Sequence, residues 1–144
     1  MKLLATALLF SLAANIPSSL KAENYKPTVG FLTELSGSFA ANGADCKKGY
    51  ELAAELFTPE SHDLQIPHIV FGDTRGDPKT AISEMRKMIS VDRVASIVVN
   101  RSQVGMAMAP IADQAQTPLI GVVGHSEFTR NHKYAFRAWP NAAR

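Results

Sequence analysis

The chain has 144 residues, enough for one domain, with 46% apolar and 19% charged residues. Its net charge of +2 rests on the first 22 residues: without Lys2 and Lys21 the 15 basic residues fall to 13, equal to the 13 acidic ones. No Lys/Arg block exceeds two residues and no basic-aromatic stripe appears, so nucleic acid is not expected as a partner.

Residues 1–22 read as a secretory signal. Lys2 supplies a basic start, and residues 3–14 form an apolar run of about 12, too short to span a bilayer as a helix. Ile16-Pro17-Ser18-Ser19 breaks that run and Ala22 offers a small residue before a cut. The three-back position is Leu20 rather than a small residue. No cysteine follows the cut, so a lipid anchor is not expected there. The mature part is then 23–144, a single exported domain.

Beyond the leader, strand and helix patterns alternate. Residues 28–32 (TVGFL) predict a first strand and Ser36-Gly37-Ser38 a turn. Residues 39–57 predict a helix whose inner stripe is Cys46, Gly49, Tyr50, Ala53 and Phe57. A loop over 58–63 precedes a second strand at 66–71. Residues 78–90 predict a second helix with Ala81, Ile82, Met85, Met88 and Ile89 on one face. A near-continuous apolar run at 94–99 predicts a strand buried on both faces. A third helix is expected over 102–114, with Val104, Met108, Ile111, Ala112 and Ala115 in register, then a fourth strand at 118–123 and a short fifth at 134–137. Such alternation implies an α/β fold: a parallel-sheet, Rossmann-like lobe with helices on both faces.

In parallel sheets, ligands bind outside the carboxyl ends of the strands. Here those ends are 33–42, 73–77, 100–103 and 123–126, all rich in Ser, Thr, Gly, Asn and Asp. That composition suits a polar ligand held by backbone N–H groups and hydroxyls.

Several sharper motifs also have plain structural roles. Arg75-Gly76-Asp77 spells an adhesion tripeptide, and Asp73 with Asp77 could make a metal pair. Asp77-Pro78 is better explained as a helix start, with Pro at the first helical position and Asp capping the next turn. Gly124-His125-Ser126-Glu127-Phe128 approximates a nucleophile elbow, but its last position is Phe and no Asp or Glu follows Glu127. No catalytic residue is assigned and no enzyme is expected. Neither a phosphate-loop nor a dinucleotide pattern occurs, so no cofactor is expected. His62, His68, His125 and His132 are scattered without metal-ligand spacing. The lone Cys46 cannot make an internal bridge and reads as a core thiol. Ser102 reads as an N-cap for the third helix, with a ligand carboxylate at the positive helix end as the functional alternative.

Taken together, the segments Val29-Gly30-Phe31-Leu32-Thr33-Glu34-Leu35-Ser36-Gly37-Ser38-Phe39-Ala40-Ala41-Asn42-Gly43, Asp73-x3-Asp77-Pro78-Lys79-x-Ala81, Ser102, Thr117-Pro118-Leu119-Ile120 with Phe128-Thr129, and Phe136-Arg137 resemble, in order and spacing, the type I periplasmic binding proteins. The branched-chain amino-acid binding proteins of ABC importers are the nearest type. The resemblance covers about residues 27–141 and implies a solute-binding role in the periplasm, with an amino-acid-like ligand and an ABC permease as partners. It implies that Ser102 bonds a ligand carboxylate, with Gln103 beside it, and that Gly124 and Ser126 serve the loop after strand four, which is one residue shorter here. Asn42 falls where an aromatic wall often stands, which counts against an aliphatic pocket. Arg101 stands where the family's lobe-one cysteine bridge would place a cysteine. The resemblance also implies a second lobe that this sequence lacks, so a truncated or split product, or one lobe of a larger gene, is expected. A sensory receptor lobe and a non-binding remnant are the alternatives.

Overall fold

The computed structural model describes residues 26–57 and 65–140. The expected leader at 1–22 and the whole 58–63 loop, His62 included, lie outside the described residues.

Five strands form one parallel sheet: β1 Thr28–Thr33, β2 His68–Asp73, β3 Ser96–Val99, β4 Leu119–Gly121 and β5 Ala135–Arg137. Their order is β2-β1-β3-β4-β5. β1 pairs with β2 from Thr28↔His68 to Thr33↔Asp73, and with β3 from Val29↔Ser96 to Leu32↔Val99. Helices α1 Ala40–Leu56, α2 Pro78–Ser90 and α3 Ser102–Ala115 connect the strands, and a 3₁₀ turn, Ser126–Thr129, lies between β4 and β5. This is the α/β lobe anticipated from the alternation. β2 begins two residues later than expected, because Gln65 to Pro67 precede the ladder, and β4 keeps only the centre of the 118–123 run.

The core lies between the sheet and the α2–α3 face. Leu32, Ile97, Val99 and Leu119 point into it, met by Ala81, Met85 and Met88 from α2 and by Val104, Met108 and Ala112 from α3. The 3.6-residue stripes read from the sequence become these two buried faces. Phe128 from the 3₁₀ turn is fully buried. It fits because position 121 is glycine: a Cβ there would run into the Phe128 ring.

The opposite sheet face is covered differently. α1 reaches it through Tyr50, whose ring meets Phe71 edge-on at 5.9 Å, and Phe71 in turn contacts Phe31 at 5.5 Å. The expected inner stripe of α1 is therefore corrected: Cys46 and Tyr50 are half-buried, while Gly49, Ala53 and Phe57 are exposed and Gly43 is the buried residue of the helix. β3 is also not buried on both faces. Ile97 and Val99 are buried, and Ser96 and Val98, which look toward the α1 side, are half-buried. Among the described residues, one helix lies over this side of the five-stranded sheet, and Phe136 on β5 is exposed.

Candidate functional site at the carboxyl edge

The loops that leave the carboxyl ends of β1, β2, β3 and β4 are tied to one another by specific hydrogen bonds. Asp77 caps α2 as expected: its Oδ2 accepts from Thr80 N and Thr80 Oγ1, both at 2.8 Å, and Pro78 takes the first helical position. The Thr80 backbone N–H and hydroxyl hold the Asp77 carboxyl below the usual carboxylate range. Arg75 and Gly76 turn the chain with φ of 53° and 71°, so the adhesion tripeptide is a strand-to-helix turn.

Asp73 closes the gap between the β1 and β2 loops. It accepts from Leu35 N at 2.9 Å, Ser36 N at 3.2 Å, Arg75 N at 2.9 Å and the Ser36 hydroxyl. Among the described residues no group of three His, Cys, Asp or Glu side chains stands together as a metal site. The second acid of the supposed metal pair is thus a loop clasp.

At the end of β3, Asn100 Nδ2 donates to Thr33 Oγ1 at 2.9 Å and to Cys46 Sγ at 3.3 Å, so the half-buried thiol is tied to the sheet edge. Arg101 stacks on Phe39, 3.6 Å from the ring centroid, and its Nη1 lies 3.5 Å from Oε1 of the buried Glu34. Ser102 opens α3, and its Oγ accepts from Gly124 N at 3.2 Å. The expected Ser102 cap is corrected: Arg101 holds the N-cap position in extended geometry, without a side-chain cap bond, because α3 starts one residue earlier than a Ser102 cap requires. Among the described residues the N–H groups of residues 102–104 have no acceptor. That leaves donors and the positive end of a 14-residue helix facing outward at this edge.

The match to the periplasmic binding protein family model runs over residues 26–144. The chain belongs to this family. It is a family of solute-binding proteins rather than of enzymes. Among solved structures, the chain is similar to the branched-chain amino-acid substrate-binding protein LivJ of Streptococcus pneumoniae, solved with isoleucine: 26% identity, TM-score 0.71, covering 81% of this chain and 34% of that one. A substrate-binding protein of an ABC transporter from Sphaerobacter thermophilus gives 28% identity and TM-score 0.68, covering 78% and 32%. A solute-binding protein of Rhodopseudomonas palustris BisB5, solved with 3,4-dihydroxybenzoic acid, shares the fold at 22% identity and TM-score 0.68, covering 80% and 32%. The chain therefore spans about a third of the length of the solved structures it matches. No curated protein matches it in sequence.

Within this periplasmic binding protein lobe, the structure brings Ser102 and Gly124 into direct contact and does not join the other expected residues to them. Gln103 is exposed in the first turn of α3. Ser126 is half-buried and opens the 3₁₀ turn, capped by His125, whose Nδ1 accepts from Glu127 N at 3.2 Å. That bond commits the His125 ring to the turn rather than to Ser126. Asn42 is exposed in the first turn of α1, and its N–H bonds the carbonyl of Phe39 at 3.0 Å. Sequence reasoning missed the Glu34–Arg101–Phe39 cluster. Its one signal was a polar Glu34 directly after an apolar strand, within a segment otherwise read as loop. A cleft of about 310 Å³, lined by Tyr50, Ala53, Ala54, Phe57, Ile66 and Pro67, lies at the opposite, amino edge of the sheet.

Proposed function

We propose that this chain is the ligand-binding first lobe of an exported solute-binding protein that serves an ABC importer, and that its ligand is an amino acid or a related small carboxylic acid. The observation that carries this is the Ser102–Gly124 bond at the start of α3. Because Ser102 Oγ spends an acceptor lone pair on Gly124 N, its own O–H stays free to donate. With the unpaired N–H groups of residues 102–104 it makes a set of donors suited to a carboxylate at a helix N-terminus. Gly124 and Ser126 would border the ligand from the β4 side, Gln103 and Asn42 from the rim. The ligands of similar structures support the class: isoleucine and 3,4-dihydroxybenzoic acid share a carboxylate. Residues 1–22 would direct export, a membrane permease would receive the ligand, and the facing wall of the site would come from a second lobe outside this sequence.

Half a site predicts weak binding, since each missing contact lowers affinity and water is not excluded. Calorimetry with leucine, valine and a wider amino-acid panel checks this: sub-micromolar affinity would overturn the half-site reading. The carboxylate position is checked by amide chemical shifts at millimolar ligand. Shifts at residues 102–104 and 124 are expected, with Ser102→Ala weakening binding about tenfold. Unmoved amides there across the panel would sink the assignment.

A further inference from the structure

Arg101 precedes Ser102, yet its side chain serves the β1 side of the edge. Its guanidinium lies 3.6 Å from the Phe39 ring centroid, with Nη1 3.5 Å from Glu34 Oε1. Glu34 is 2% exposed and the Arg101 side chain 28%, so the carboxylate lies beneath and the cation meets solvent. The two contacts fix both the position and the plane of the guanidinium. A guanidinium has five N–H donors. Among the described residues, Glu34 is the acceptor that Arg101 reaches. The remaining donors are held in one orientation, on the residue that immediately precedes the unpaired first turn of α3. Gly76 packs against this cluster: a Cβ there would meet the Phe39 ring at 3.4 Å, Glu34 at 3.7 Å and Arg101 Nε at 3.9 Å. Asn42, polar rather than apolar, is exposed, and its N–H bonds the carbonyl of Phe39.

We propose that Arg101 is a specificity-determining residue that takes a second anionic group of the ligand. Resting on the Ser102 reading above, this makes the preferred ligand a dicarboxylate or an amino acid with an acidic side chain, not an aliphatic one. Glu34 and Phe39 position the guanidinium in advance, so little side-chain freedom is lost when it binds. The competing role is structural: Arg101 merely covers Glu34, which would otherwise be a buried, unpaired charge.

The test uses the 144-residue chain, titrated separately with glutarate, L-glutamate, butyrate and L-leucine while the amides of residues 102–104 and 124 and the Arg101 Nε–H are followed by NMR. All four are expected to move the amides. Glutarate and glutamate alone should move the Arg101 Nε–H, and each should bind about tenfold tighter than its one-carboxylate counterpart. Arg101→Gln should erase that preference while leaving butyrate affinity within about twofold. The double variant Glu34→Gln/Arg101→Gln removes both charges, so it escapes the cost of a stranded Glu34 and should still lack the preference. Equal affinities with an unmoved Nε–H, or a preference that survives in the double variant, overturn the inference and leave the Ser102 reading standing. Amides that respond to none of the four acids overturn both.

Discussion

Asp73 gathers the loop after β1 onto the end of β2 with a single carboxylate. Burial works against its charge, but the Ser36 hydroxyl and the N–H groups of Arg75, Leu35 and Ser36 outweigh it and hold its pKa below the ordinary aspartate value. A depressed carboxylate pKa contributes stability that is present above the unfolded-state value and is lost as pH falls through the folded one. Asp73→Ala should therefore cost about 2 kcal/mol at neutral pH. Its deficit in Tm should close as pH drops below about 4. Thermal melts across that range check this, and a deficit independent of pH would remove charge as the cause. The two aspartates of this stretch were unequally legible. Asp77 acts on Thr80, three residues on, so its cap could be read from Asp-Pro alone. Asp73 acts on residues 37 and 38 positions away, and no local pattern discloses such partners. Ser102 shows the same limit, since its acceptor role depends on Gly124, 22 residues later.

The three helices are held by different means. α2 and α3 bury continuous stripes against the sheet and each other, whereas α1 rests on Gly43, Tyr50 and the Asn100–Cys46 contact. Its two glycines, Gly43 and Gly49, separate propensity from packing. Alanine is the better helix former, favoured over glycine by about 1 kcal/mol in a helix interior. At Gly49 a Cβ meets nothing within 4 Å, so Gly49→Ala should raise stability by about 0.5–1 kcal/mol. At Gly43 a Cβ would land on the Glu34 carbonyl oxygen, a backbone atom that cannot step aside. Gly43→Ala should cost about 1–3 kcal/mol net, as overpacking does. Denaturant midpoints of the pair check both, and two changes of the same sign would refute the packing account. The periodic stripe put Gly49 on the inner face and left Gly43 out, the reverse of their burial. The difference lies in how close β1 passes.

Across the described residues, the sheet has one well-covered face and one sparsely covered face. Leu32, Ile97, Val99 and Leu119 are buried on the first, while Phe136 on β5 is 51% exposed. Local opening should follow this division. Amide hydrogen exchange is expected to be slowest in β1, β3, α2 and α3 and distinctly faster throughout α1. Equal protection of α1 and α2 would contradict it. β5 is secured at its start by Asp113 on α3, which accepts from the N–H groups of Lys133 and Tyr134 and pairs with His132 at 2.7 Å. The His132 ring and the Tyr134 N–H hold the Asp113 carboxyl below its ordinary value despite burial. The β5 anchorage should therefore persist above the ordinary aspartate range and loosen only as pH falls through the lowered value, seen as faster exchange at residues 134–137.

The sequence by itself determined the α/β alternation, the parallel sheet, the inner faces of α2 and α3 and the Asp77–Pro78 helix start. All of these follow from periodicity and from contacts within a few residues. Its ordered motifs also pointed to the family. Tertiary structure alone decided which face of the sheet is buried deeply, why Gly43 and Gly121 must lack side chains, and how the edge is wired. Asp73 to the β1 loop, Ser102 to Gly124 and Arg101 over Glu34 each join residues 22 to 67 positions apart. Such pairings depend on strand order and register, and a one-dimensional pattern carries neither.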